Sequence, residues 1–165
     1  MDNTSVYQWK LQGHLHVWHY LPRVRSLEGW HLNADATACT SLVDLVDRML
    51  ATEEKALKRI PVRVPARMLV APGHPWKPAS ELVLRYPRNE VEDEFWHLEL
   101  EPNNVLTLTL GTAKLREFRQ SLLELPHWKD DFAIGPPVPW HRGRSANAAR
   151  ARFDAECLWF WTKVE

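Results

Sequence analysis

Two histidines one residue apart, His14 and His16, give the strongest metal-binding signal in this sequence. Side chains at positions i and i+2 of an extended chain point to the same face, so both imidazoles can approach one ion. Imidazole nitrogen is a common ligand of zinc and copper, and His19 or His31 could supply a third donor. The pattern makes His14, His16 and His19 a candidate metal site and suggests a metal-dependent hydrolase. The alternative is that both histidines line the wet face of an outer strand.

A segment near the C-terminus is rich in arginine and contains no acid between positions 140 and 152. The candidate ligand-binding residues there are Trp140, His141, Arg142 and Arg144. Guanidinium groups and an indole N–H suit carboxylates and phosphates, so the segment predicts a pocket for a small anionic ligand. The same composition also fits a mobile loop, or a segment that docks on the acidic stretch 90–101 of this chain or of a second copy.

Tryptophan and histidine are neighbours at five places in this chain, which has nine tryptophans and eight histidines in 165 residues. The pairs are Trp18-His19, Trp30-His31, Trp96-His97, His127-Trp128 and Trp140-His141. On a strand, the two members of such a pair lie on opposite faces. A tryptophan combines a large apolar body with one N–H donor, which suits a core that borders a binding surface. These pairs predict a sheet face or edge, rich in tryptophan and histidine, that contacts a partner.

Recognisable catalytic motifs are missing from the sequence. It contains no Gly-x-Ser-x-Gly elbow, phosphate-binding loop, dinucleotide fingerprint or His-Glu-x-x-His run. Cys39 lies on an apolar helical stripe, which is a poor environment for a thiolate nucleophile. Six acids between positions 89 and 101 could pair for acid–base catalysis, but Glu99 and Glu101 alternate with leucines as the wet face of a strand does. The sequence therefore favours a protein that is not an enzyme and uses no cofactor.

The overall charge is balanced, with 21 basic and 21 acidic residues and a formal net charge of zero. This balance lacks the basic footprint of a nucleic-acid or membrane-surface binder, and it favours a homodimer or a protein partner. No signal peptide and no apolar run of membrane-spanning length are visible. Cys39 and Cys157 fit small buried hydrophobes of a reducing compartment. We therefore expect a cytoplasmic protein.

Strand-like and helix-like stretches alternate along the chain. The predicted helices cover 36–52 and 112–125, where apolar residues recur at helical spacing, and Asp35 and Thr112 are placed to cap them. The predicted strands cover 7–11, 14–21, 29–33, 59–64, 81–86, 95–101, 105–110, 131–134 and 158–164. The fold class that follows is α+β, a mainly antiparallel sheet of about seven to nine strands with two amphipathic helices on one face.

The two halves of the chain, 5–65 and 81–165, share a pattern within what we expect to be one domain over residues 1–165. A shift of 76 residues places the apolar positions of 30–34 over those of 106–110, and the stripe of the first helix over that of the second. The periodicity carries over, although almost no identities do. We interpret the halves as two strand-strand-helix-strand units, and a duplication as one of two explanations, since unrelated units of this kind also overlay.

The last third of the sequence resembles the ending of small bacterial proteins of unknown role. The stretches that carry the resemblance are Leu115–Leu125, Asp130-Asp131-Phe132-Ala133-Ile134-Gly135 and Leu158-Trp159-Phe160-Trp161. In that family a helix leads to an Asp-Phe/Tyr-x-Ile-Gly strand and then to a Leu-Trp-Phe-Trp strand, and this chain departs from it by a long insertion over 136–157. The resemblance implies a bacterial cytosolic protein and brings no activity with it.

Taken together, these features favour a non-enzymatic interaction protein of the immunity or antitoxin kind. It would use a sheet face or edge rich in tryptophan and histidine. Binding of a small anion at the arginine-rich segment, and metal-dependent hydrolysis at the histidines, are the alternative hypotheses.

Overall fold

The computed structural model describes residues 3–21, 28–65, 70, 73–137 and 156–162. Its helices are α1 (Thr4–Gln8), α2 (Ala36–Ala51) and α3 (Thr112–Glu124), and a short 3-10 turn covers Pro102–Asn104. Its strands are β1 (Leu15–Tyr20), β2 (Trp30–Ala34), β3 (Ala56–Pro61), β4 (Trp76–Pro78), β5 (Glu81–Tyr86), β6 (Trp96–Glu101), β7 (Val105–Leu110), β8 (Phe132–Ile134) and β9 (Leu158–Phe160). Within these ranges, every helix is too short or too polar to cross a membrane.

The nine described strands form two sheets. Sheet A has the order β4-β1-β2-β9-β8, and sheet B has the order β3-β5-β7-β6. Most neighbours are antiparallel, but β2 runs parallel to β9 and β5 runs parallel to β7. Helices α2 and α3 pack against each other, and their apolar side chains share one core with the inner faces of both sheets. The predicted α+β fold is confirmed, with its strands divided between two sheets.

The division into two sheets follows from strands that pair across the two halves. Strand β3 of the first half pairs with β5 of the second half, and the antiparallel β8–β9 pair of the second half joins β2 of the first half. The registers agree at a spacing of 76 residues, since Trp30 lies beside Leu158 and Leu106 lies beside Leu82. Each half therefore completes the sheet of the other. Common descent of the halves remains a prediction.

The strand assignment differs from the prediction at two places. Residues 7–11 do not form a strand, because the chain enters through helix α1, which buries Val6. One helical turn is too short to display a helical period, so the alternating apolar residues around Trp9 imitated a strand. Strand β4 was not predicted, because it is three residues long and lies in a proline-rich connection. It pairs with the end of β1, where Tyr20 lies opposite Trp76.

Helix α2 begins with the predicted cap. Asp35 accepts a hydrogen bond from the N–H of Ala38 at 2.7 Å through Oδ1, and one from the N–H of His14 at 2.9 Å through Oδ2. The first bond satisfies one of the free donors at the start of the helix. One carboxylate therefore joins the helix to the segment that leads into β1.

We expect Asp35→Ala to lower the free energy of unfolding by about 2 kcal/mol, because it removes a helix cap and a second bond to a charged acceptor. Asp35→Asn keeps one acceptor oxygen and should lose roughly half as much. Guanidinium denaturation of the three proteins measures both differences. Equal stability of Asp35→Ala and the wild type would contradict this assignment.

Helix α3 begins differently, and the predicted Thr112 cap is wrong. The helix starts after Gly111, and among the described residues no side chain caps it. The carbonyl oxygen of Asp93 instead accepts the N–H groups of Ala113 and Lys114 at 2.9 and 3.3 Å. The backbone carbonyl of Asp93 therefore caps the start of α3, as the side-chain carboxylate of Asp35 caps the start of α2. A close approach of two backbone segments is needed for this, and glycine at position 111 permits it.

Candidate functional site

Sheet A carries large side chains on both of its faces. The inner face contributes Leu15, Val17 and Leu32 to the core shared with the helices. On the outer face, Trp18 and Tyr20 form a separate cluster. We call this outer surface the aromatic face, and its members are Trp18, Tyr20, His31, Trp76, Trp159 and Trp161.

The aromatic face has a buried floor and a partly exposed rim. Trp18, Tyr20 and His31 are at most 2% exposed and form the floor. The indoles of Trp76, Trp159 and Trp161 are each partly exposed and form the rim. A half-buried indole beside a rigid floor is the arrangement that anchors many protein interfaces.

His31 lies at the centre of this face. Its ring stacks on Trp18 with centroids 5.6 Å apart and meets the edge of Tyr20 at 4.9 Å. Its Nδ1 accepts a hydrogen bond of 2.7 Å from Nε1 of Trp161. Asn33, two residues further along β2, donates from Nδ2 to the carbonyl of Trp161 at 2.8 Å. Rings from β1 and β2 and from the chain just beyond β9 are therefore held as one unit.

Two buried polar atoms lie in or beside this face, Nε1 of Trp18 and Oδ1 of Asn33. Within the described ranges, neither has a hydrogen-bond partner. Such atoms are rare in folded proteins, because an unused buried donor or acceptor costs about 1–3 kcal/mol. Trp18 of the floor therefore retains a donor, and the adjacent Asn33 an acceptor, that the described residues do not use.

The predicted division of the Trp-His pairs between opposite faces is confirmed at three strands. Trp18 belongs to the outer face, while His19 lies 4.4 Å from the ring of Trp30 on the inner face. In the second pair the order is reversed, so Trp30 is in the core and His31 lies outside. In the third, Trp96 is buried and His97 is exposed.

The outer face of sheet B provides an internal comparison. The strand registers make the following positions equivalent: Trp18 and Glu99, Tyr20 and Glu101, His31 and Thr107, Trp159 and Val83, and Trp161 and Arg85. These positions are all aromatic in sheet A, whereas in sheet B they are glutamate, threonine, valine or arginine. The two outer faces therefore differ in chemistry although their strand registers correspond.

The three candidate metal-binding histidines do not come together. Nδ1 of His14 lies 3.4 Å from a carboxylate oxygen of Asp35, and Nδ1 of His16 lies 3.1 Å from the carbonyl of Arg63. His19 is on the opposite face of β1, because three residues along a strand reverse the direction of the side chain. In the described part of the chain, no three histidine, cysteine or acidic side chains are grouped as metal ligands.

The candidate anion-binding residues Trp140, His141, Arg142 and Arg144 lie outside the described residues, so this pocket remains a prediction. The acidic stretch 90–101 is described, and most of its carboxylates are exposed. Glu101 accepts a hydrogen bond from the hydroxyl of Thr107, across the β6–β7 pair. These positions agree with the interpretation of the acids as a strand's wet face and a solvated turn.

The cysteine thiols are buried. Desolvation, together with the nearby carboxylate of Asp35, raises the pKa of Cys39 to about 12. Cys39 and Cys157 are not joined in a disulfide, and both are at most 2% exposed. A thiol with this pKa is protonated at neutral pH and is a poor nucleophile.

We expect iodoacetamide to leave Cys39 of the folded protein unmodified at pH 8, because only about one thiol in ten thousand is then ionised. The reactivity of Cys39 should rise only as the pH approaches its pKa of about 12, since the thiol stays protonated below it. Intact-mass measurement with and without guanidinium measures the modification. Rapid alkylation of Cys39 in the folded state would contradict its burial.

Tyr20 of the aromatic face and the adjacent Asn33 were not candidates from the sequence, because neither belongs to a motif. Trp76 and Trp161 stand out in the sequence only as tryptophans, one close to His74 and one in a run that is apolar on both faces of a strand. Their shared location depends on the pairing of β1 with β2 and β4, and of β2 with β9. The signal in the sequence is the recurrence of tryptophan beside histidine. It indicates a face lined by rings but does not specify which residues belong to that face.

The chain matches no protein-family model, no curated protein and no solved structure. The resemblance of its last third to small bacterial proteins therefore remains a prediction. A fold does not specify a function, so the support for one comes from the aromatic face.

Proposed function

We propose that this protein is a non-enzymatic binding protein of the immunity or antitoxin kind, and that it recognises a protein partner through the aromatic face. The observation that carries the proposal is the difference between the outer faces of the two sheets. Equivalent positions are aromatic in sheet A and polar or small in sheet B. The concentration of partly exposed indoles on one of two corresponding faces supports a binding role for that face.

The rim of the aromatic face supplies the anchors for such a contact. Trp76, Trp159 and Trp161 are partly exposed, so a partner can bury the rest of each ring. Tryptophan is among the residues whose truncation costs most at interfaces, often about 2 kcal/mol or more. The buried floor keeps these rings in place before binding, which lowers the entropy lost on association.

The charge of the face indicates the kind of partner. Its described strand positions carry no lysine, arginine, aspartate or glutamate. A surface that binds nucleic acid needs cations for the phosphates, which these positions lack. The aromatic face is better suited to a protein partner whose surface is neutral and largely apolar, with a few hydrogen-bonding groups.

The proposal is tested by enrichment of partners from the source cells with tagged full-length protein. Two variants are compared with the wild type: Trp161→Ser alters the aromatic face, and Arg85→Ser alters the equivalent position of sheet B. Loss of one interface anchor should reduce a true partner by about thirtyfold, whereas Arg85→Ser should leave it unchanged. Quantitative mass spectrometry of the eluates measures the ratio.

Both variants must first show the near-UV circular dichroism and melting behaviour of a folded protein. A partner that both variants retain in full, or that both lose equally, would reject the aromatic face as the recognition surface. If neither the wild type nor the variants enriched any protein, the binding function would be rejected.

A further inference from the structure

Strand β6 forms an edge of sheet B, with β7 on one side and no described strand on the other. In an antiparallel ladder, the backbone groups of successive residues alternate between the paired side and the open side. The carbonyl of Phe95 accepts from the N–H of Gly111 at 2.9 Å, so the odd-numbered positions are directed toward β7. The N–H and carbonyl groups of Trp96, Leu98 and Leu100 therefore point away from the sheet.

The equivalent edge of sheet A is already used for pairing. The strand registers make Val17 of β1 equivalent to Leu98 of β6. The carbonyl of Val17 accepts from the N–H of Ala79, which follows β4, and the carbonyl of Leu15 accepts from the N–H of Arg63, both at 2.8 Å. The same edge is therefore occupied in sheet A, whereas in sheet B no described segment occupies it.

The other described edge strands are protected from pairing with another chain. Strands β4 and β8 are three residues long, and β4 ends in Pro78. Strand β3 ends in Pro61 and has α1 beside it, where Lys58 donates from Nζ to the carbonyl of Tyr7 at 2.6 Å. Short strands, prolines, lysines and covering helices are the usual devices that protect a sheet edge. Strand β6 is six residues long and contains neither proline nor lysine.

The sequence of β6 is complementary to itself in one antiparallel register. With Leu98 opposite Leu98 of a second copy, His97 lies opposite Glu99 at two symmetric positions. Both side chains are exposed on the outer side, and even a neutral imidazole keeps one N–H that a carboxylate can accept. On the core side, Trp96 lies opposite Leu100, which is 47% exposed in the single chain. A register centred on Glu99 would instead place two glutamates face to face, which is unfavourable.

We propose that β6 is a homodimerisation edge, through which two copies of this chain pair antiparallel in the register centred on Leu98. The four-stranded sheets B of both copies then form one continuous sheet, and the outward backbone groups of β6 bond to each other. The two pairs of His97 with Glu99 select this register. The dimer goes beyond the proposed function, because no residue of the aromatic face takes part in it.

The dimer is tested by sedimentation velocity of the untagged full-length protein over a wide range of concentrations, where we expect a reversible monomer–dimer equilibrium. His97→Glu places a carboxylate opposite each Glu99 and should raise the dissociation constant of the dimer about tenfold or more. Adding Glu99→Lys to His97→Glu restores opposite charges and should return the constant to the wild-type value or below it. His127→Glu is the matched control, since it makes the same change of charge at an exposed position outside sheet B.

A disulfide measures the register directly. Leu98 lies opposite itself in the proposed register, so Leu98→Cys should form an intermolecular disulfide on mild oxidation. Glu99→Cys should not, because its Cα would lie more than about 7 Å from its own copy. Cys39 and Cys157 are buried and give both variants the same background. Non-reducing electrophoresis and intact-mass measurement detect the linked species.

Each variant must first show the circular dichroism and melting behaviour of the wild type. A protein that stays monomeric at every concentration would overturn the proposal, as would a dimer that His97→Glu leaves unchanged or that His127→Glu weakens equally. A disulfide from Glu99→Cys in place of Leu98→Cys would also overturn it. None of these results requires another protein, so a failure of partner enrichment would count against the proposed function and leave the dimer standing.

Discussion

Gly111→Ala is expected to lower the free energy of unfolding by at least about 3 kcal/mol, which is the upper range for an overpacked site. The backbone of Gly111 has φ −71°, so an alanine meets no conformational strain there. The cost is steric, because a Cβ would lie 2.1 Å from the carbonyl oxygen of Glu92 and 2.5 Å from that of Asp93. The second carbonyl also accepts the first N–H groups of α3, so it cannot retreat without exposing the start of the helix.

Gly73→Ala is the matched control for this prediction. Gly73 has φ +76°, and a Cβ added there meets no atom within 4 Å. Its substitution should cost only about 1 kcal/mol, the ordinary penalty of a side chain in the left-handed region. Guanidinium denaturation of both variants measures the difference. If the two substitutions proved equally mild, the close approach of the segment before β6 to α3 would be incorrect.

Phe160→Ala is the second substitution with a large expected effect, a loss of about 3–5 kcal/mol in the free energy of unfolding. Phe160 is fully buried in β9, the strand that the second half inserts beside β2. Its ring stacks on Phe132 with centroids 5.0 Å apart and planes 2° apart, and it lies 6.0 Å from Phe118 of α3. Alanine would leave a cavity between the β8–β9 pair and α3. The rings of Phe132 and Phe118 pack against opposite sides of this space and do not fill it.

The neighbouring residue Trp159 is the control, since it points to the other face of the same strand. Its ring is partly exposed on the aromatic face, so Trp159→Ala should cost less than about 2 kcal/mol despite the larger side chain. Thermal and guanidinium unfolding of both variants give the comparison. A loss as large for Trp159 as for Phe160 would mean that the aromatic face serves mainly as a second core.

Much of the local structure was predictable because it depends on neighbouring residues. The 36–52 helix, its Asp35 cap and the hairpin of 95–101 with 105–110 were all visible as periodicity and turn chemistry. The start of α3 was not, because its cap is the carbonyl of Asp93, and any residue has a carbonyl. Contacts made by the backbone leave little trace in the sequence.

The candidate site was predictable in kind and not in composition. The alternation of side chains along β1 assigns opposite faces to Trp18 and His19, and it likewise separates His19 from His16. The meeting of His31 with Trp161 joins positions 130 residues apart through the parallel pairing of β2 with β9. That pairing places a strand of the second half beside a strand of the first half, which local sequence patterns do not encode.

The most direct test of the aromatic face as a recognition surface is photo-crosslinking in the source cells. A benzophenone amino acid replaces Trp161 in one full-length variant and Arg85, its equivalent on sheet B, in another. A discrete crosslinked product to a second protein is predicted from position 161, with no such product from position 85. The same product from both positions, or from position 85 alone, would contradict the account.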